Sequence, residues 1–90
     1  MFQKTVTDSG LRIITRSMPH TQAVSIALYV GAGSRYETED IAGISHFVEH
    51  MCFKGTRRRP TAKEISETIE GVGGVLNAAT DRELTFYWCK

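Results

Sequence analysis

Ile41-Ala42-Gly43-Ile44-Ser45-His46-Phe47-Val48-Glu49-His50-Met51-Cys52-Phe53 is the stretch in which the chain's apolar period changes from two to nearly four. Lys54-Gly55 behind it supplies a favourable charge and a C-terminal stop, so a helix is predicted over 41–53. At about 100° of rotation per residue, with His46 at zero, Glu49 falls at roughly 300°, His50 at roughly 40° and Phe53 at roughly 340°. These four side chains share one face. Ile44, Phe47, Val48 and Met51 fall between roughly 100° and 200°, an apolar stripe predicted to pack on a sheet.

The shared face has the parts of a metal site. Histidines four apart on a helix project in parallel and can reach one ion together, which His46 and His50 satisfy. Hydrolysis also needs a base beside the attacking water, and Glu49 stands next to His50 on the same side. The plainer reading, an exposed polar face with nothing to bind, explains one histidine better than it explains three matched positions. The order H-x-x-E-H is the inversion of the H-E-x-x-H zinc-peptidase motif.

Working outward, 2–7 and 11–16 alternate apolar and polar residues in part, and Asp8-Ser9-Gly10 between them has the composition of a tight turn, which predicts a hairpin. After Met18-Pro19-His20, residues 23–30 alternate again, with Val24, Ile26, Leu28 and Val30 on one face of a strand that Gly31-Ala32-Gly33-Ser34 ends. Beyond the first helix, Thr61-Ala62-Lys63-Glu64 after Pro60 matches a capping box. Ile65, Ile69 and Val72 then recur at helical spacing until the glycines at 71, 73 and 74 break the run. Residues 75–79 and 84–89 are β-prone and joined by Thr80-Asp81-Arg82-Glu83, a hairpin connection. Strands, two helices and strands again, without βαβ alternation, predict an α+β fold with helices packed on one face of a mainly antiparallel sheet.

The chain has 90 residues, one domain at most, with room for a modest core. Lysine and arginine number 11 against 10 acidic residues, a net charge of +1, so no global field draws nucleic acid or an acidic membrane. Arg57-Arg58-Arg59 is short, has no aromatic interleaving and reads as a solvated loop. No run is long enough to span a bilayer, and the first seven residues have neither a signal-peptide core nor a transit-peptide pattern, which predicts an untargeted, cytoplasmic protein. The final strand runs into Lys90 without a cap or polar tail, from which the expectation is a truncated N-terminal part of a larger domain.

Other reactive side chains read as structural. Cys52 falls at roughly 240°, away from the histidines, and is expected to be a small core residue. Cys89 is expected to fill a strand, and with no C-x-x-C pair both thiols should be free. His20 sits in a linker and should face solvent. Neither Gly31-Ala32-Gly33 nor Gly71-Val72-Gly73-Gly74 precedes the lysine and hydroxyl of a phosphate-binding loop, so both read as turns.

The sequence resembles the pitrilysin or insulinase family of inverted-motif zinc peptidases, along nearly its whole length. Gly10-Leu11-Arg12-Ile13, Val30-Gly31-Ala32-Gly33-Ser34-Arg35, Gly43 to Met51, Phe53-Lys54-Gly55-Thr56 and Asn77-Ala78-Ala79-Thr80 look like family landmarks in the right order. The Phe53 to Thr56 version is most similar to the processing-peptidase and short bacterial members. The resemblance implies a partial LuxS/metallopeptidase-like half-domain and one zinc ion, held by His46 and His50 with Glu49 as base. It also implies peptide or unfolded-protein substrates, bound as an added strand by Asn77 and Ala78 with Phe53 as an apolar wall.

The same resemblance implies parts that this chain lacks. The family's third zinc ligand is a glutamate from a helix beyond Lys90, and a second related half, fused or separate, closes the chamber. A zinc endopeptidase is therefore the leading expectation, and a noncatalytic peptide-binding or partner subunit the alternative.

Overall fold

The computed structural model describes residues 1–90 as five strands and two α-helices. The strands are β1 (Phe2–Val6), β2 (Arg12–Arg16), β3 (Ile26–Val30), β4 (Leu76–Thr80) and β5 (Thr85–Cys89), and the helices are α1 (Ile44–Met51) and α2 (Ala62–Glu70). The class is α+β, as expected, but the strands form two sheets rather than one. β1 and β2 make an antiparallel hairpin, and β3, β5 and β4 make an antiparallel sheet with β5 in the centre.

Local chemistry sets most boundaries. The first hairpin turns where Gly10, at φ 91°, donates its amide to the Thr7 carbonyl at 2.9 Å. α2 starts on a complete capping box: the Glu64 amide donates to Thr61 Oγ1 and the Thr61 amide to Glu64 Oε2, both at 3.2 Å. α1 is shorter than predicted because Gly43, at φ 90°, holds a left-handed conformation that no helix continues through. Residues 39–41 ahead of it form a separate 3-10 turn. Val24 precedes β3 and Val72 follows α2, so neither belongs to the periodic face assigned to it, and Val72 is 85% exposed.

Register decides which residues meet the helices. Leu76 pairs with Cys89, Ala78 with Tyr87 and Thr80 with Thr85, while Ile26, Leu28 and Val30 oppose Cys89, Tyr87 and Thr85 on the other flank. Directly paired residues share a face, so all nine line one side of the sheet. α1 and α2 both lie against β4 there, as predicted.

The side of α1 that meets the sheet differs from the expectation. Glu49, Cys52 and Phe53 reach Thr80 and Tyr87, whereas Phe47 and Met51 are 60% and 50% exposed. Ile44 and Val48 only border a narrow cavity of about 150 Å³ against Val30, Ala32, Thr85 and Tyr87. Nor does the expected core form: no hydrophobic side chain is fully buried, and only Gly33 and Thr85 are. A compact chain of this length has a radius of gyration of about 12 Å; this one measures 15.5 Å. The apolar surface is laid out in sheets and stripes without a second layer to cover it. No helix is long and apolar enough to cross a membrane.

Candidate metal centre

α1 projects His46, Glu49 and His50 from one turn, and one donor atom of each lies within 4.8 Å of the others. The imidazoles meet edge to face, centroids 4.4 Å apart, with Nε2 to Nε2 at 2.9 Å. Two nitrogens on a tetrahedral zinc ion, each bonded at about 2.05 Å, stand about 3.3 Å apart. The pair stands slightly closer than that, and the nitrogens of His46 and His50 with the oxygens of Glu49 are donors of the kind zinc takes. Both histidines are exposed on the solvent side, while Glu49 is half-buried toward the sheet.

Glu49 is held from below. Its Oε2 accepts a 2.5 Å hydrogen bond from Thr80 Oγ1, across from α1 to the end of β4. Beyond it, Cys52 Sγ lies 3.6 Å from the Tyr87 hydroxyl, and the Phe53 ring lies 6.4 Å from that of Tyr87. Burial pushes the Tyr87 phenol up to about 12, helped by the Cys52 thiol and the Glu49 charge, so the group under the site stays neutral. Cys52 itself is exposed rather than a core residue, although its thiol reaches the Tyr87 hydroxyl on the sheet. Cys89 fills β5 and both thiols are free, as expected. His20 and Arg57-Arg58-Arg59 are exposed, and Arg59 Nε donates to Thr68 Oγ1 at 2.9 Å.

Phe53 lies just past the end of α1 and lines, with Glu49, His50, Lys54, Leu76 and Asn77, a cavity of about 260 Å³. β4 is an edge strand. Val75 and Lys90 exchange both backbone hydrogen bonds, so by the antiparallel alternation the main-chain groups of Leu76, Ala78 and Thr80 face outward. The Ala78 amide donates to Asn77 Oδ1 at 2.8 Å. A second cavity, of about 310 Å³ and lined by no hydrophobic residue, opens on the other side of His46 between Glu37 and Arg82.

The start of α1 depends on Glu37, which no motif of the sequence singles out. Gly43 offers no capping side chain, and Glu37 substitutes for one: Oε1 accepts the Gly43 amide at 2.7 Å and Oε2 the Ser45 amide at 2.8 Å. Hydrogen bonds from Ser45, side chain and backbone, and from the Gly43 amide hold the Glu37 carboxyl below its ordinary range. A depressed native pKa contributes stability that is complete above the unfolded-state value and is lost as pH falls through the native one. Glu37→Gln should thus flatten part of the loss in urea midpoint expected as pH falls below about 4.5. An unchanged acid slope would show that the cap contributes nothing.

The family model for insulinase, peptidase family M16, matches residues 12–90. The chain belongs to this family. A Bacillus subtilis (strain 168) relative named as an uncharacterized zinc protease is 43% identical over 90 residues, all of this chain and 22% of its own. An Arabidopsis thaliana relative, a probable mitochondrial-processing peptidase subunit beta, is 44% identical over 86 residues, 96% of this chain and 16% of its own. Among solved structures, a protease from Helicobacter pylori superposes with a TM-score of 0.87 at 28% identity, covering 99% of this chain and 21% of the other. This M16 chain thus spans about a fifth of the length of the relatives it matches.

Proposed function

We propose that residues 1–90 are the N-terminal part of a single zinc endopeptidase domain and supply two of its metal ligands and its general base. The observation that carries this reading is the convergence of His46, Glu49 and His50 donors within 4.8 Å on one helical turn. Relatives named as zinc proteases support the choice of one zinc ion. Such an ion, when bound, polarises the scissile carbonyl and makes the attacking water more acidic. His46 and His50 hold it from the solvent side. The resemblance assigns the third ligand to a glutamate beyond Lys90, and a second related half, fused or separate, to closing the chamber.

Glu49 takes a proton from water as the water oxygen bonds to the carbonyl carbon, and passes it to the leaving nitrogen as the C–N bond breaks. The substrate is an extended peptide or unfolded protein added along the free edge of β4, whose outward backbone groups pair with it. Asn77 and Ala78 are its nearest partners. The Ala78 amide is released from Asn77 Oδ1 in the exchange. Phe53 walls the adjoining cavity on its apolar side. The uncovered apolar faces are covered by the rest of the polypeptide.

The test is the full-length protein given an unfolded protein substrate with zinc and with a chelator. One zinc per chain and cleavage that the chelator stops and zinc restores are expected. Substrate binding without zinc or cleavage would instead make this a noncatalytic peptide-binding or partner subunit.

A further inference from the structure

We infer that Thr80 is a positioning residue for the Glu49 carboxylate, a role that rests on the reading of Glu49 as the general base. A glutamate on an exposed helical turn has three rotatable bonds and no intrinsic reason to aim at the water beside the metal. Here one carboxylate oxygen, Oε2, is tied to Thr80 Oγ1 at 2.5 Å. Oε1 remains to receive the proton. The tether joins two elements 31 residues apart, so it is a tertiary device and not a consequence of helix geometry.

The anchor is itself held rigidly. Thr80 directly opposes Thr85, which is 4% exposed and donates its hydroxyl to the Ala32 carbonyl at 2.9 Å. In the turn that follows, Asp81 Oδ1 accepts the Glu83 and Leu84 amides, each at 2.9 Å. The turn is then clamped by the segment after β3. The Ser34 amide donates to the Asp81 carbonyl at 3.3 Å and the Arg35 amide to the Arg82 carbonyl at 2.8 Å, and the Arg35 guanidinium pairs with Glu83 at 2.6 Å. Gly33 is buried where a Cβ would stand 2.5 Å from the Asp81 carbonyl oxygen, so only glycine lets the two segments close. The surroundings thus hold the backbone from which the Thr80 hydroxyl reaches the base. Preorganisation of this kind is what a proton transfer within hydrogen-bond reach requires.

The experiment compares Thr80→Val and Thr80→Ser in the full-length zinc protein, with Glu49→Gln as control. Thr80→Val keeps the side chain's shape and removes the donor. Its kcat should fall about 10- to 100-fold, the effect of a lost hydrogen bond to a charged group, with KM and zinc content unchanged. Thr80→Ser should restore kcat to near the wild-type value. A readout independent of turnover is the 13C shift of the Glu49 carboxyl in zinc-free, selectively labelled protein, which should move in Thr80→Val and return in Thr80→Ser. Wild-type kcat in Thr80→Val, equal impairment in both variants, or an unmoved carboxyl signal would overturn the assignment. Wild-type cleavage by Glu49→Gln would instead overturn the base reading, and the carboxyl signal would still report on the tether.

Discussion

Glu49→Gln in the full-length protein is expected to bind zinc as the wild type does and to cleave peptide about 10²- to 10⁴-fold more slowly, the usual contribution of a general base. The substitution is nearly isosteric. Its carbonyl oxygen can still accept from Thr80 Oγ1, so the tether between α1 and β4 survives and the fold has no reason to change. What disappears is the basic oxygen. Both histidine donors stay where they are, 2.9 Å apart on the outer side of the helix, so metal content should be that of the wild type. Zinc analysis and single-turnover cleavage on one preparation check both halves. Retained zinc with undiminished cleavage would remove Glu49 from the chemistry.

The convergence of His46, Glu49 and His50 was legible in the sequence because it depends only on rotation along one helix. Positions 46, 49 and 50 fall on one side of any α-helix, whatever that helix packs against. The strands, both hairpins and the capping box were legible for the same reason, since each is set by neighbours in the chain. What α1 packs against is not local. Rotation arithmetic separates a polar from an apolar side, and apolar-inward is the ordinary outcome, yet in these residues Phe47 and Met51 face out while Glu49 and Cys52 face β4 and β5. The expected core failed likewise: Leu28, Ile26 and Val30 are patterned for burial, but nothing within these residues stacks on them closely enough to exclude water. The chain spans about a fifth of its relatives, and a periodic apolar face looks the same whichever part of a protein covers it.

The residues around the site were missed in an instructive way. Thr80 belongs to a recognisable landmark but carries no chemistry of its own, and its value lies in a contact with Glu49 that only the β4–β5 register creates. Glu37 stands six residues before Gly43, outside any capping pattern read from adjacent positions. One signal for it was present. A helix whose N-cap is glycine has no side chain for its first amides, which must find an acceptor elsewhere, and the acidic residues just upstream were the candidates.

His50→Ala should separate metal binding from base chemistry in the opposite direction. The side chain is exposed and its ring pairs edge to face with that of His46, while α1 meets the sheet through Glu49, Cys52 and Phe53. Circular dichroism and the urea midpoint of the metal-free protein should match the wild type. Zinc affinity should fall by more than about 100-fold, because disturbing even an outer partner of a ligand costs about 10- to 100-fold and here a donor itself is gone. Cleavage should fall with it and recover in part at high zinc, a rescue that Glu49→Gln cannot show. Equilibrium dialysis against a competing chelator measures the affinity directly. A variant that kept wild-type zinc affinity would mean that the ion sits elsewhere, and the convergence of donors on α1 would then have no bearing on catalysis.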